Sequence, residues 1–348
     1  MKPLDGIKII DLSTLLPGPM ATLILAEAGA EVIKIERPGG EDMRRSPPFI
    51  GGESVLFGLL NKGKRSIELD IKSEEGFNKV INLIKSADIV IDQFRPGVMK
   101  RLGLDFKSLL KIKPNIIHCS ITGYGQTGPK KLVAAHDLNY MAESGLLSLS
   151  REKDGTPAMP NTQIADIAGG SYPAVINILL ALREVEKTGQ GKFLDISMTD
   201  NLFPFMWMAL GLTAKNYYSE GGDLQLTGAS PRYGIYETLN KGYIALGALE
   251  EKFWLRFCAV INLPQEFIDD KINPNATKAA IIQIIKKKET EYWKETLSKE
   301  DNICCSIVSS LKEAMSNAQI IERELLTAEM TLGTEKILAI PTPLAPTW

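Results

Sequence analysis

The chain has only two histidines, four cysteines and four tryptophans in 348 residues, and almost no charge imbalance, with 40 Lys+Arg against 42 Asp+Glu. Each shortage excludes something. Cys119, Cys258, Cys304 and Cys305 include no C-x-x-C, so neither a disulfide framework nor a zinc site is indicated, and a reducing compartment is expected. The near-neutral balance argues against nucleic-acid or membrane-surface partners, which need a basic excess. No apolar run reaches the ~18 residues of a bilayer span. Lys2, Asp5, Lys8 and Asp11 interrupt the N-terminal apolar stretch where a signal peptide would need continuity, and the chain ends in Pro346-Thr347-Trp348 rather than a peroxisomal signal. The expected location is the cytoplasm. With 44% apolar residues and a mean hydropathy of −0.02, what remains is a globular chain long enough for one large or two medium domains.

Short β-branched runs alternate with helical stretches over the first 200 residues, the pattern of a parallel sheet covered by helices. Strands are expected at Ile7–Leu12, Glu31–Glu36, Ser66–Ile71, Asp88–Phe94, Asn115–Thr122 and Lys192–Met198. Helices are expected at Met20–Ala28, Glu75–Ser86, Phe106–Lys111 and Gly170–Glu186. Residues 201–233 read as a linker, polar and Gly-rich from Tyr217 to Ser230. A helix-rich domain then spans 234–330, and the Pro-rich segment 331–348 returns to the large domain as an edge element.

The turn Leu16-Pro17-Gly18-Pro19 holds one glycine where a dinucleotide fold needs three, so an NAD site is not expected. Arg37, Arg95 and Arg101 stand at or just past the carboxyl ends of expected strands, where α/β sheets bind ligands and a guanidinium suits phosphate oxygens. Lys62, Lys64, Arg65 and Lys72 add charge nearby, and the ordinary alternative is solvated surface charge. His118 sits in the apolar run Ile116-Ile117-His118-Cys119 and reads as a satisfied core histidine. His136 opens His136-Asp137-Leu138-Asn139-Tyr140 at a helix start, a plausible place for a general base. Asp166 precedes the long apolar helix, where it would serve as an N-cap or sit beside backbone N–H groups able to receive a developing anion.

Several motifs carry a resemblance: Leu16 to Thr22, Gly29-Ala30-Glu31-Val32-Ile33-Lys34-Ile35-Glu36-Arg37-Pro38, Asn61 to Ile67, Leu69-Asp70-Ile71-Lys72, Phe94-Arg95-Pro96-Gly97 and Gly123-Tyr124-Gly125-Gln126-Thr127-Gly128-Pro129. By these the chain resembles the class III CoA-transferase superfamily, and His136 to Tyr140 resembles its α-methylacyl-CoA racemase branch. The resemblance implies a Rossmann-like large domain with a smaller α+β domain, in an interlocked homodimer. It implies no cofactor beyond the coenzyme A of an acyl-CoA thioester substrate, and no metal. It places Arg37, Leu69, Asp70, Ile71, Lys72, Gln93, Phe94, Arg95, Arg101, Ala135, Asp137, Leu138, Asn139 and Tyr140 at the CoA moiety. His136, Asp166 and Glu250 fall at the catalytic positions, with Glu251 where relatives carry proline.

The racemase reading needs two acid/base groups flanking the α-carbon: His136 takes a proton from one face and protonated Asp166 returns one to the other, through an enolate. Glu250 would orient the imidazole, and Phe203 to Met208 would offer the acyl chain an apolar surface, the ordinary alternative for most of that stretch being helical core. The alternative is CoA transfer between carboxylic acids, with Asp166 as nucleophile through an anhydride and an aspartyl-CoA thioester. A third class, a CoA-ester binder without catalysis, is less compatible with the pair His136 and Asp166.

Overall fold

The computed structural model describes residues 1–152 and 154–347, and the chain divides into two compact units. The first comprises 1–147, 159–206 and the chain from 322 onward; the second comprises 148–158 and 207–321.

Six parallel strands form the sheet of the first unit: β1 (Lys8–Leu12), β2 (Glu31–Glu36), β3 (Arg65–Glu68), β4 (Ile89–Asp92), β5 (Ile117–Thr122) and β6 (Lys192–Ser197). Their order is β3-β2-β1-β4-β5-β6. The order reverses between β1 and β4, the crevice where such sheets bind ligands. Helices α1 (Pro17–Glu27), α2 (Glu74–Lys85), α3 (Phe106–Ile112), α4 (Asp137–Ser144) and α5 (Tyr172–Thr188) complete the unit. Ile9, Ile91, Cys119 and Ile121 meet Ala21, Leu25, Ala174 and Ile178 on one face; Ile10, Ile33 and Val90 meet Val80, Ile84 and Leu109 on the other. Burial on both faces explains why these strands read as continuous apolar runs.

The departures from expectation have local causes. α1 begins at Pro17 rather than Met20, because proline fits the first helical turn, where an N–H has no partner to lose. β3 stops at Glu68 because the Asp70 carboxylate accepts the Lys72 N–H at 3.0 Å and turns the chain, and Ser73 then caps α2. Residues Ala165–Ser171 wind as a wider π-helical turn that runs into α5. The segment expected as an edge element instead forms an antiparallel ribbon of its own, Glu329–Leu332 with Glu335–Leu338, whose Leu332 packs on Gly58. A second ribbon, Phe49–Ile50 with Glu53–Ser54, was too short to register as a strand pattern. By length and composition the continuous run Ala165–Thr188 could cross a membrane, contrary to the sequence expectation; Ala174, Ile178 and Ala181 along it are buried in the core of the unit.

The second unit has an antiparallel sheet of β7 (Tyr233–Glu237), β8 (Tyr243–Gly247) and β9 (Cys305–Ile307), with β8 central. It packs on helices at Glu251–Ile261, Pro274–Ile285 and Thr290–Leu297 through Tyr236, Trp254, Phe257, Ile281 and Trp293. Helix Trp207–Thr213 precedes the Gly-rich stretch.

Candidate active site

Two cavities open along the carboxyl ends of the central strands, and Thr14 and Phe94 line both. Between the strand ends the chain is anchored by a buried charge network. At the end of β1 the Asp11 carboxylate accepts from the Ser13 N–H at 2.9 Å and the Thr22 hydroxyl at 2.6 Å, and faces Lys64 Nζ at 3.5 Å. Lys34 Nζ donates to the Ser13 carbonyl at 2.8 Å and pairs with Glu41 at 3.2 Å. Burial pushes the Asp11 carboxyl up, but Lys34, Lys64 and the two hydroxyls outweigh it and hold it below the usual range. Lys64 goes the other way: burial lowers its ammonium to about 8 despite Asp11. Lys64 and Lys62, which pairs with Glu27 at 3.0 Å, are therefore occupied and not free for phosphate as the sequence suggested.

The larger cavity, about 600 Å³, is lined by Arg37, Leu69, Asp70, Ile71, Lys72 and Phe94, together with Glu41, which sequence reasoning did not single out. Arg37 is braced by Asp42 at 2.6 Å. Arg101 lies in a neighbouring depression that shares Ile71 and Lys72 with this cavity.

The smaller cavity, about 430 Å³, brings together Gln93, Phe94, Arg95, Ala135, His136, Asn139, Tyr140 and Asp166, residues up to 73 positions apart. Gly123 is required here: a Cβ on it would lie 2.3 Å from the Tyr140 ring. Tyr140 donates its hydroxyl to the Ala135 carbonyl at 2.7 Å, which fixes the chain leading into His136. The exposed His136 starts α4, and its N–H donates to Asn139 Oδ1 at 3.0 Å. Thr122, Tyr124 and Lys131 also line this space; their signal was the Gly-rich segment beside them, read as a turn.

Asp166 is not a helix cap. It lies inside the π-helical turn, and its own N–H donates to Asp137 Oδ1 at 2.9 Å. The Asp137 carboxylate thereby ties down this segment, and it is absent from the cavity wall. The Asp166 side chain accepts no hydrogen bond among the described residues. Burial, and secondarily the nearby Asp137, pushes its carboxyl up to about 7. Leu138 is exposed and lines neither cavity.

His118 departs from expectation in part. Its Nε2 lies 2.7 Å from Asp92 Oδ2 in the core, but its Nδ1 has no hydrogen-bond partner among the described residues. Glu250 belongs to the second unit, at the N-cap of helix Glu251–Ile261. Its carboxylate makes no hydrogen bond among the described residues, whereas Glu251 accepts from Arg232 at 2.8 Å.

A desolvated, unbonded carboxylate in a cavity next to a cation-lined cleft can attack an acyl carbon or exchange a proton with an adjacent one. Comparison with known proteins narrows these options. The profile of CoA-transferase family III matches residues 4–347. Succinyl-CoA:glutarate CoA-transferase of Mus musculus is 34% identical over 99% of this chain and 80% of its own length. Alpha-methylacyl-CoA racemase of Mus musculus is 30% identical over 92% and 81%. In three dimensions, a CaiB/BaiF family protein from Brucella suis superposes with a TM-score of 0.84 at 26% identity, covering 99% of this chain and 92% of that one.

Proposed function

The chain belongs to CoA-transferase family III, and from that premise we propose that it moves coenzyme A from an acyl-CoA thioester to a free carboxylic acid, with Asp166 as the nucleophile. The observation that carries this is the Asp166 carboxylate, free of donors among the described residues and set in the wall of the smaller cavity that Phe94 and Arg95 also line. A carboxylate stripped of water and hydrogen bonds is a better nucleophile than a solvated one. Its oxygen attacks the thioester carbonyl carbon; the C–S bond breaks, CoA leaves as thiolate, and an acyl-aspartyl anhydride remains. The thiolate attacks the aspartyl carbon, releasing the donor acid and leaving an aspartyl-CoA thioester. The acceptor carboxylate repeats the sequence in reverse, which regenerates the Asp166 carboxylate.

Arg37 and Lys72 in the larger cavity suit the phosphates of the CoA nucleotide. Arg95 and Lys131, the cations of the smaller cavity, suit the second carboxylate of a dicarboxylic acyl group. This agrees with the succinyl and glutaryl groups in the name of the mammalian relative. A homodimer belongs to the same reading: α5 presents Tyr172, Ile176 and Leu180 at 40%, 56% and 64% exposure, an apolar stripe at helical spacing.

One observation favours a second reading, racemisation: His136 lines the same cavity as Asp166, and two acid/base groups about one carbon are what 1,1-proton transfer needs. Incubation with succinyl-CoA and glutarate, and separately with one epimer of a 2-methylacyl-CoA in deuterated water, decides between them. The transferase reading expects glutaryl-CoA and an Asp166-linked CoA thioester detectable by mass. Deuterium at the α-carbon without transfer, abolished in His136→Ala, replaces it with racemisation.

A further inference from the structure

Both reactions place negative charge on the thioester oxygen, and two helix starts beside the smaller cavity have N–H groups that are already engaged. At the start of the π-helical turn the N–H of Asp166 donates to Asp137 Oδ1 at 2.9 Å, and that of Ile167 donates to the Gln163 carbonyl at 3.1 Å. At the start of α1, Pro17 and Pro19 have no N–H, Gly18 donates to Gln93 Oε1 at 3.0 Å, and Met20 donates to the Leu16 carbonyl at 2.9 Å. At these two helix starts the N–H groups are spent.

Two side chains on the cavity wall are in the opposite condition. Gln93 Oε1 is held by the Gly18 N–H, and Asn139 Oδ1 by the His136 N–H, each at 3.0 Å. A backbone N–H can be met only by the oxygen of a carboxamide, so these contacts fix which way each amide faces. The NH₂ of each is then turned away from that N–H, and neither donates to any group among the described residues. Gly18 makes the first arrangement possible, since a Cβ there would come within 2.8 Å of Gln93 Oε1. We propose that the carboxamide N–H groups of Gln93 and Asn139 together form the site for the developing oxyanion. This rests on the reading of the smaller cavity as a thioester site and holds for transfer or racemisation alike. Donors fixed before the reaction cost no reorganisation as charge appears.

The substitutions Gln93→Glu and Asn139→Asp separate this role from a structural one, because each keeps the oxygen that meets the backbone N–H and removes the donor. In the full chain, kcat for whichever reaction the wild-type protein performs should fall on the order of 100-fold in each variant. The melting temperature should stay within about 2 °C. A second readout needs no turnover: the infrared band of succinyl-CoA or 2-methylpropanoyl-CoA, ¹³C-labelled at the thioester carbonyl and added to the Asp166→Ala protein. The band should move to lower wavenumber, and the shift should shrink when Gln93→Glu or Asn139→Asp is added. If neither reaction is found, the functional reading falls and the band alone decides this proposal. Variants that keep kcat within about threefold, a shift unchanged by the substitutions, or a band that stays at its solution position with both esters overturns it.

Discussion

Asp166 is held in its neutral form longer than an ordinary carboxylic acid, with burial as the main cause and Asp137 as the second. The consequences for rate and stability have opposite signs. Transfer needs the carboxylate, so kcat/KM should climb about tenfold per pH unit below about 7 and level off above it, read from a pH–rate profile. Stability runs the other way, because the folded pKa lies above the unfolded value of 3.8. The cost of the charge is absent below about pH 4, grows through the interval up to about 7, and is complete above it. Asp166→Asn should therefore abolish the covalent thioester and yet stabilise the fold at pH 8, by up to roughly 4 kcal/mol, with no gain near pH 4. Urea titrations at the two pH values test this, and equal stabilisation at both would sink the burial argument. His136 stood out in the sequence because the chain has only two histidines, and Asp166 because it precedes the long apolar run; both line the smaller cavity. The partner of Asp166 did not stand out: Asp137 sits 29 positions earlier and reaches it by a backbone contact that no spacing rule encodes.

At the scale of elements, the strand and helix alternation of the first unit was legible because both sheet faces are covered and the apolar runs are unbroken. What escaped were features made by single polar contacts, such as the early end of β3 at the Asp70 turn and the π-helical turn in place of an N-cap. The turn from Ser13 to Pro19, which carries two prolines and the glycine beneath Gln93, is held by Asp11 from below. Its buried charge has two lysines around it. Asp11→Ala should leave the buried Lys64 ammonium without its carboxylate, near Lys34, and destabilise the chain by about 3–5 kcal/mol, measured by chemical denaturation. Asp11→Asn should cost less because it preserves the hydroxyl contacts. Lys64 was misjudged from sequence for the same reason: composition shows a charge but not the carboxylate waiting for it in the core.

For the whole molecule, the proposed dimer should elute at twice the 38.2 kDa chain mass in light scattering. The double variant Ile176→Glu/Leu180→Glu should shift it to the monomer, since the charges fall on the exposed stripe of α5. A monomeric wild-type protein would remove that part of the reading. The family motifs run through nearly all of the chain, so architecture was legible at this scale, whereas the residues that cover the cavities arrive from loops whose lengths carry no pattern. The π-helical turn at Ala165–Ser171 has a consequence for how such a chain varies. A turn of this kind is one residue inserted into an otherwise regular helix. Losing a single codon within it would let the helix wind straight through and rotate the aspartate by about 100°. A deletion of Ile167 should thus yield a protein that still folds and is catalytically silent, so that in this segment the number of residues, as much as the identity of the one at 166, separates an enzyme from an inert copy of itself.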